Sequence, residues 1–431
     1  MTNFQIAVIV AAIALLLIGV LIFAGILPGF RPSPGGAGGQ VTLWGTLDSE
    51  AIRPALDEFG RDHKSEFTLV YKQKDARTFE ADLVDALAAN KGPDLVILPS
   101  DLIVKQSDKL LTLPYQSYSL RQFKDTFATI GQLYLTSDGI IGFPLYIDPL
   151  VIYNNQDLLT NAKLAKVPAT WNELQAVVGS LSKVDLQKNI SQSMIALGQF
   201  NNIANAKDIL AALIMQAGNP ITARDEAGVL KAVLKERSGL PTPPAAEALA
   251  FFNRFSDPSN VLYSWNSALP EARSAFLPGT LAFYIGYASD WPKLKKQNPQ
   301  LNLGVELLPQ RVGGTSLTFG RVSAAAALKN SGNPNTALLA AQRLSEAPFV
   351  KALSEAIGLP PARKDLLAAN HPDPAMSVFY QSAIISRGWL DPDPAKSQEI
   401  FRNLASNAQT GRLETSAAVT RASDELQTLI K

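Results

Sequence analysis

The sequence contains no cysteine and only two histidines, His63 and His371, which lie far apart along the chain. The absence of cysteine excludes disulfide bonds, thiolate metal sites and cysteine nucleophiles. A metal site or catalytic dyad built on histidine would need these two residues to meet through folding, and we expect both to be surface residues instead. We therefore predict neither a metal site nor a cofactor.

The chain also lacks an excess of charge of either sign. It has 39 basic and 38 acidic residues, a formal net charge of +1, so nothing favours electrostatic capture of nucleic acid. Hydrophobic residues make up 47% and charged residues 18%, which is typical of a well-packed globular protein. A single core stops growing at about 250–300 residues, so a chain of 431 residues predicts two domains.

The N-terminus carries one long apolar run, at residues 6–27, and no charged residue precedes Arg31. At ~1.5 Å per residue this run spans about 33 Å as a helix, enough to cross the ~30 Å hydrocarbon core of a bilayer. The alternative is a cleavable signal peptide, but its apolar region is shorter, about 7–15 residues, and follows a basic start. The tail at residues 1–5 has no basic residue, so we predict an uncleaved transmembrane anchor that keeps the folded body outside the cytoplasm.

The segment Leu21–Ile26 is similar to a bacterial lipoprotein signal, but Ile26 occupies the position of the required cysteine, which excludes lipid attachment there. Residues 28–40 are rich in glycine and proline and bury nothing. We predict that they form a linker between the anchor and the folded body.

Short apolar strands alternate with helical patterns in the first part of the body, which predicts a mostly parallel sheet with helices on both faces. The predicted elements are strands at Val41–Trp44, Phe67–Lys72 and Asp94–Leu98 and helices at Glu50–His63 and Phe79–Ala89. In such sheets ligands bind beyond the carboxyl ends of the strands. Residues that follow the strands are therefore candidates for a binding site.

Two long extended stretches interrupt this pattern, Ile140–Tyr153 and Thr318–Leu328. The first is too long for one ordinary strand and contains Pro144 and Pro149, so we predict that it crosses between two lobes. From about Pro334 onwards the pattern is almost wholly helical.

Several short motifs follow one another in the order and spacing of a known family. They are Val41–Gly45, Gly92–Val96, Gly142–Tyr146 with Ile152–Leu159, Pro168–Leu174, and Ala275–Phe283. From Val41 to the C-terminus the chain thus resembles the extracellular solute-binding proteins of bacterial ABC importers, in the group that includes maltose-binding protein. The missing lipidation cysteine and the unusual anchor depart from the family pattern and concern only the mode of attachment.

The resemblance implies an α/β fold with two lobes of the periplasmic-binding-protein type and a ligand cleft between them, preceded here by one transmembrane helix. It implies crossings near residues 147–151, 319–323 and 345–348. The expected lobes are discontinuous in sequence: 41–147 with 322–346, and 148–320 with 347–431.

A sugar presents flat C–H faces and paired hydroxyls, which aromatic rings and polar side chains recognise. The candidates near strand ends, crossings and C-terminal turns are Trp44, Thr46, Asp48, Asp101, Tyr146, Asp148, Gln199, Asn201, Trp265, Tyr287, Asp290, Trp291, Arg321 and Trp389. Structural roles remain open for several of them. Asp48 is placed to cap a helix, Asp148 to fix the first crossing, and Trp44 and Trp265 to fill the core.

We predict a solute-binding subunit that captures a small ligand, a carbohydrate by family resemblance, and delivers it to ABC permease subunits as a monomer. A polyamine or another non-sugar solute, such as an amino acid derivative or a metal ion, remains an alternative ligand, and the same aromatic and acidic residues would bind a polyamine. A receptor-like domain without a transporter is another alternative. No nucleophile elbow, phosphate-binding loop or H-E-x-x-H motif is present, so we predict that the chain is not an enzyme, although a glycosidase needs only two carboxylates.

Overall fold

The computed structural model describes residues 39–237 and 239–430. The tail 1–5, the predicted anchor 6–27 and all but the last two residues of the predicted linker 28–40 lie outside the described residues. In the part of the chain that is described, no helix is long and apolar enough to cross a membrane.

The strands form one large sheet and two small ones. In chain order they are β1 Gln40–Gly45, β2 Thr68–Gln73, β3 Leu95–Pro99, β4 Leu113–Pro114, β5 Gly139–Ile140, β6 Phe143–Asn155, β7 Lys183–Val184, β8 Ile190–Ile195, β9 Thr222–Arg224, β10 Leu230–Ala232, β11 Leu281–Tyr287, β12 Leu303–Leu307, β13 Thr318–Ala327 and β14 Ser386–Arg387. The ten-stranded sheet has the order β2-β1-β3-β13-β6-β11-β8-β7, with β12 also paired to β6 and β14 to β13.

The large sheet is mixed, so the prediction of a mostly parallel sheet is wrong. Strands β2, β1 and β3 are parallel to one another, as are β8 and β11. However, β13 runs antiparallel to both β3 and β6, and β6 runs antiparallel to β11 and β12. The local β-α-β pattern was interpreted correctly, but the two long strands enter the sheet centre in opposite directions.

The helices surround this sheet. They are α1 Ser49–Asp62, α2 Phe79–Ala88, α3 Ile103–Gln106, α4 Leu120–Thr126, α5 Gln156–Asn161, α6 Trp171–Ala176, α7 Val178–Leu181, α8 Ala206–Gln216, α9 Pro244–Arg254, α10 Ala272–Phe276, α11 Trp291–Gln297, α12 Pro334–Leu344, α13 Ala347–Ile357, α14 Lys364–Leu367, α15 Pro374–Ile384, α16 Pro394–Gln409 and α17 Thr415–Leu429. The prediction of an almost wholly helical C-terminal part is confirmed, with β14 as the one short strand found there among the described residues.

Local sequence explains where several helices begin. The Asp48 carboxylate accepts from the backbone N–H groups of Glu50 and Ala51 and so caps α1. The Thr170 hydroxyl and the Glu173 carboxylate form a reciprocal capping box at the start of α6. In both cases a polar side chain satisfies N–H groups that have no partner within the helix.

Strand β6 connects the two halves of the molecule, because its pairing partners change along its length. Its first part, Phe143–Pro149, pairs with β13, whereas Leu150–Asn155 pairs with β11 and β12. Strand β13 likewise continues from this region to pair with β3. We call the half built on β1–β3 the first lobe and the half built on β8, β11 and β12 the second lobe; the residue boundaries predicted above stay a prediction.

Candidate functional site

A small cavity, which we call the cleft, lies where the turn after β3 faces the second lobe. Its lining comprises Ser100, Asp101, Lys207, Asp208, Phe319, Gly320, Arg321, Gly388, Trp389 and Asp391. These residues come from the carboxyl end of β3, the start of α8, the long strand β13 and the segment after β14. The cavity measures only about 20 Å³, room for about one water molecule. The cavity is therefore too small for a solute in this arrangement of the chain.

The cavity contains a first ion pair between β13 and α8. The Arg321 guanidinium donates to the Asp208 carboxylate at 2.6 Å, and the Tyr287 hydroxyl donates to the same oxygen at 2.5 Å. The guanidinium carbon also lies 4.5 Å from the centre of the Tyr287 ring. A planar guanidinium fixed in this way keeps further N–H groups for a ligand, because it has five in total.

A second ion pair joins α8 to the segment after β14. Lys207 Nζ lies 2.8 Å from Asp391 Oδ2, and both side chains are largely buried. The same carboxylate oxygen accepts from the Ser397 hydroxyl at 2.7 Å. Lys207 Nζ lies 5.8 Å from the centre of the Trp389 ring, and that ring stacks on Phe401. The site therefore combines an aromatic ring with fixed charged groups.

Asp101, in the turn after β3, adds a third carboxylate to the lining of the cleft, from the side of the first lobe. Its Oδ1 is buried and has no hydrogen-bond partner among the described residues. Burial raises the pKa of the Asp101 carboxyl, although Arg321 and Lys207 act in the opposite direction. A buried polar atom without a partner costs about 1–3 kcal/mol, so such atoms call for an explanation. A solute group that donates to Asp101 would remove this cost.

The structure thus brings together Asp101, Tyr287, Arg321 and Trp389, four of the residues predicted from sequence. The sequence analysis missed three other residues of the cluster. Lys207 and Asp208 lie in the first turn of α8, which is apolar from Ile209 to Met215, and Asp391 belongs to an Asp-Pro-Asp-Pro segment, a pattern that is typical of a turn before a helix. Asp393 does cap α16, but Asp391 faces the cleft.

Two predicted ligand residues have structural contacts within the protein. Trp265 has no exposed surface and its indole N–H donates to Asn202 at 3.0 Å, so it belongs to the core of the second lobe. Asp48 serves as the cap of α1. Burial of Trp265 contradicts its predicted ligand contact, whereas Asp48 is exposed and uses only its Oδ1 as the cap, so its ligand contact stays a prediction.

Other predicted residues lie outside the lining of the cleft. Thr46 and Asn201 are exposed, and Gln199 is partly exposed. Asp290 is buried and accepts from the Tyr284 hydroxyl at 3.1 Å. Trp291 packs on Tyr153 and lines a separate groove of the second lobe.

Trp44 is the last residue but one of β1, and its indole nitrogen is buried without a hydrogen-bond partner in the described ranges. The ammonium of Lys74 lies 3.7 Å from the centre of its ring. A lysine side chain is mobile enough to move aside, so the ring is available to a solute only if Lys74 is displaced.

Asp148 and Tyr146 lie on β6 at the crossing between the lobes. Asp148 accepts from the backbone N–H of Ser289 at 3.0 Å and so connects β6 to the turn after β11. Burial raises the pKa of Asp148 to about 6 and that of Tyr146 to about 12. Asp148 also stands opposite Arg321 in the β6–β13 ladder.

The raised pKa of Asp148 predicts a pH-dependent stability. An unfolded aspartate has a pKa of about 3.9, so the folded state binds this proton more tightly. The resulting stabilisation is fully present below about pH 4 and is lost as the pH rises through about 6. Between about pH 4 and 6, the free energy of unfolding of Asp148→Asn should fall by about 1–2 kcal/mol less than that of the wild type. Urea unfolding at several pH values measures this difference. Equal pH profiles for the two proteins would contradict the assignment.

Residues 55–378 match the family model of the bacterial extracellular solute-binding protein. The chain belongs to this family. Curated proteins of Brucella abortus and Brucella suis, each described as a binding protein, are 22% identical to this solute-binding protein over 257 residues. The match covers 59% of this chain and 59% of those relatives.

Solved structures show that the fold of this solute-binding protein is two-lobed α/β. A cyclo/maltodextrin-binding protein complexed with maltotetraose has a TM-score of 0.73 at 18% identity, covering 91% of this chain and 97% of its own. The cyclic α-maltosyl-1,6-maltose binding protein from Arthrobacter globiformis has a TM-score of 0.74 at 16% identity, with coverages of 91% and 99%. An ABC transporter solute-binding protein from Thermotoga lettingae, bound with α-D-tagatose, has a TM-score of 0.66 at 17% identity, with coverages of 91% and 100%.

Proposed function

We propose that this protein is the extracytoplasmic solute-binding subunit of an ABC importer and that it captures a carbohydrate between its two lobes. Family membership supports solute binding, and the ligands of the structurally similar proteins, maltotetraose and tagatose among them, support a sugar. Binding without turnover fits the absence of known catalytic motifs in the sequence.

The observation that carries the proposal is the arrangement around Asp101. Its unpartnered carboxylate oxygen, on the first lobe, lies in the same cavity as the Arg321–Asp208 and Lys207–Asp391 pairs. A sugar hydroxyl donates one hydrogen bond and accepts two, so vicinal hydroxyls would pair with carboxylate and cationic groups together. The Trp389 ring supplies an apolar surface for a sugar C–H face.

The charges of the cleft favour a neutral sugar over the alternative polyamine. Lys207 and Arg321 are both cationic and would repel the ammonium groups of a polyamine, and the carboxylates of Asp208 and Asp391 already have cationic partners. Of the three carboxylates that line the cleft in the described ranges, only Asp101 has no cationic partner at hydrogen-bond distance.

We further propose that the lobes comprise residues 41–147 with 322–346 and 148–320 with 347–431, and that they close over the solute about β6 and β13. Residues 6–27 would anchor a monomer in the cell membrane, with the linker 28–40 holding the body outside the cytoplasm near permease subunits. Ligand would favour the closed state through contacts made only in that state.

A thermal-shift screen of the full chain with mono- and oligosaccharides, polyamines, amino acids and divalent metals tests the function. A ligand at 100 times its Kd adds about 2.7 kcal/mol to the free energy of unfolding, a shift of a few degrees. We expect the largest shift from a sugar. A shift from polyamines alone would overturn the carbohydrate assignment.

The substitution Asp101→Ala then tests the site. We expect the affinity for the best sugar to fall about tenfold, because one charge-assisted hydrogen bond is lost. The free energy of unfolding should stay unchanged or rise, because the free protein loses a buried oxygen that has no partner. Isothermal titration calorimetry and urea unfolding measure the two effects, and unaltered sugar affinity would contradict the site.

A further inference from the structure

The second lobe contains a groove of about 770 Å³ that shares no lining residue with the cleft between the lobes. The ends of β6 and β12 contribute to it, together with α5 and the loop after it, α11 and the start of α15. Small-molecule sites typically measure about 300–1,000 Å³, so the groove is large enough for a solute. Because it lies within one lobe, opening of the hinge is not needed to reach it.

Two amide side chains converge in this groove. Asn154 is only 3% exposed, yet its side chain makes no hydrogen bond to any described residue. A methyl group on Gly304 would lie 2.5 Å from Asn154 Oδ1 and 2.8 Å from Gln156 Nε2, so both amides lie over this glycine. Gln156 likewise has no side-chain partner in the described ranges. Both amides line the groove, so their donors and acceptors are available to a ligand there.

The remaining polar groups of the groove balance in charge. Glu306 lies on β12 and forms no ion pair in the described part of the chain, and burial raises its pKa. Asp373 at the start of α15 is the second acidic residue, and Lys166 and Lys295 are the basic ones. Lys295 Nζ lies 4.5 Å from the centre of the Trp291 ring. Two charges of each sign favour a neutral ligand over an ionic one.

We propose that this groove is a second solute site, which binds a neutral saccharide independently of the cleft between the lobes. Each amide offers two N–H donors and an oxygen acceptor, and Glu306 adds a second acceptor. This set of groups matches neighbouring hydroxyls of a sugar ring. The apolar side chains of Leu159, Val167 and Val378 line the same groove and would contact its C–H groups.

The test uses the full chain with the inter-lobe site weakened by Asp101→Ala. This variant is titrated by calorimetry against neutral mono- to tetrasaccharides, with maltotetraose and α-D-tagatose in the panel. We expect at least one saccharide to bind, and the added substitution Asn154→Leu to weaken that binding at least tenfold. Binding of no saccharide, or equal binding after Asn154→Leu, would overturn the proposal.

A matched control is Asn302→Leu, which removes an exposed amide next to β12 that bonds to Asp157 and is not part of the groove lining. It should leave saccharide binding unchanged. Thermal unfolding provides a second readout, because Asn154→Leu removes an amide with no protein partner and should not lower the melting temperature. A fall of several degrees would assign Asn154 a structural role and contradict the proposal. Gln156→Leu, at an exposed position, should also weaken binding without affecting folding.

Discussion

Replacing Asp391 by alanine should lower the free energy of unfolding by about 3–5 kcal/mol, because removing one partner of a buried ion pair leaves the other charge uncompensated. The Lys207 and Asp391 side chains are only 10% and 4% exposed, at a separation of 2.8 Å. The Ser397 hydroxyl loses its acceptor as well. Urea unfolding of the full chain, with and without the substitution, measures the loss.

A matched control is available on the surface. Lys235 and Asp424 form an ion pair at 2.6 Å, but their side chains are 49% and 58% exposed. Asp424→Ala should cost less than about 1 kcal/mol, because water screens exposed pairs. If Asp391→Ala and Asp424→Ala lowered the free energy of unfolding by similar amounts, Lys207 would be in contact with water in solution. That result would contradict the burial of the Lys207–Asp391 pair.

The substitution Asp208→Asn should weaken sugar binding by about 10- to 150-fold, equivalent to the loss of about 1.5–3 kcal/mol for hydrogen bonds to a charged group. The Asp208 carboxylate accepts from both Arg321 and Tyr287 and thereby holds the guanidinium in place. An asparagine has the same shape but cannot neutralise the guanidinium, so Arg321 would lose its fixed orientation. Calorimetric titration with the best sugar of the thermal-shift screen measures the effect.

The substitution Tyr287→Phe should weaken sugar binding less than Asp208→Asn does. It removes a single neutral hydroxyl donor to Asp208 and keeps the ring beneath Arg321, so the loss should be about 2- to 13-fold. If both substitutions weakened binding equally, the charge of Asp208 would not be the cause. If neither did, Arg321 would not be held for a ligand by this carboxylate.

The fold could largely be predicted from the sequence because its elements carry local periodicity. The apolar runs Val41–Trp44 and Asp94–Leu98 predict buried strands, which the structure has as β1 and β3, and the capping box at Thr170 and Glu173 fixes the start of a helix. Strand direction has no such local indication. The orientation of β13 against β3 depends on contacts across the whole chain, which is why the mixed sheet was not predicted.

The candidate site was only partly predictable for a related reason. Asp101 follows the buried strand β3 and Arg321 lies in the long strand β13, where ligand contacts are expected, and both line the cleft. Asp208 bonds to a residue 113 positions away, and Lys207 to one 184 positions away. Nothing in the helical pattern around these two residues identifies their partners. The position of Trp291 after β11 predicts a ligand contact in the cleft, but its ring packs on Tyr153 and lines the separate groove of the second lobe.

The position of β13 in the sheet has a consequence for the order in which the molecule is assembled. Strand β3 pairs with β1 on one side and β13 on the other, and the register places Val96 opposite Ala326. During synthesis from the N-terminus, the β13 edge of β3 stays unpaired until more than two hundred further residues have been added. Such distant pairings slow folding and expose strand edges to aggregation. The first lobe, although it begins the folded body, can be completed only after nearly all of the second lobe's strands have been made.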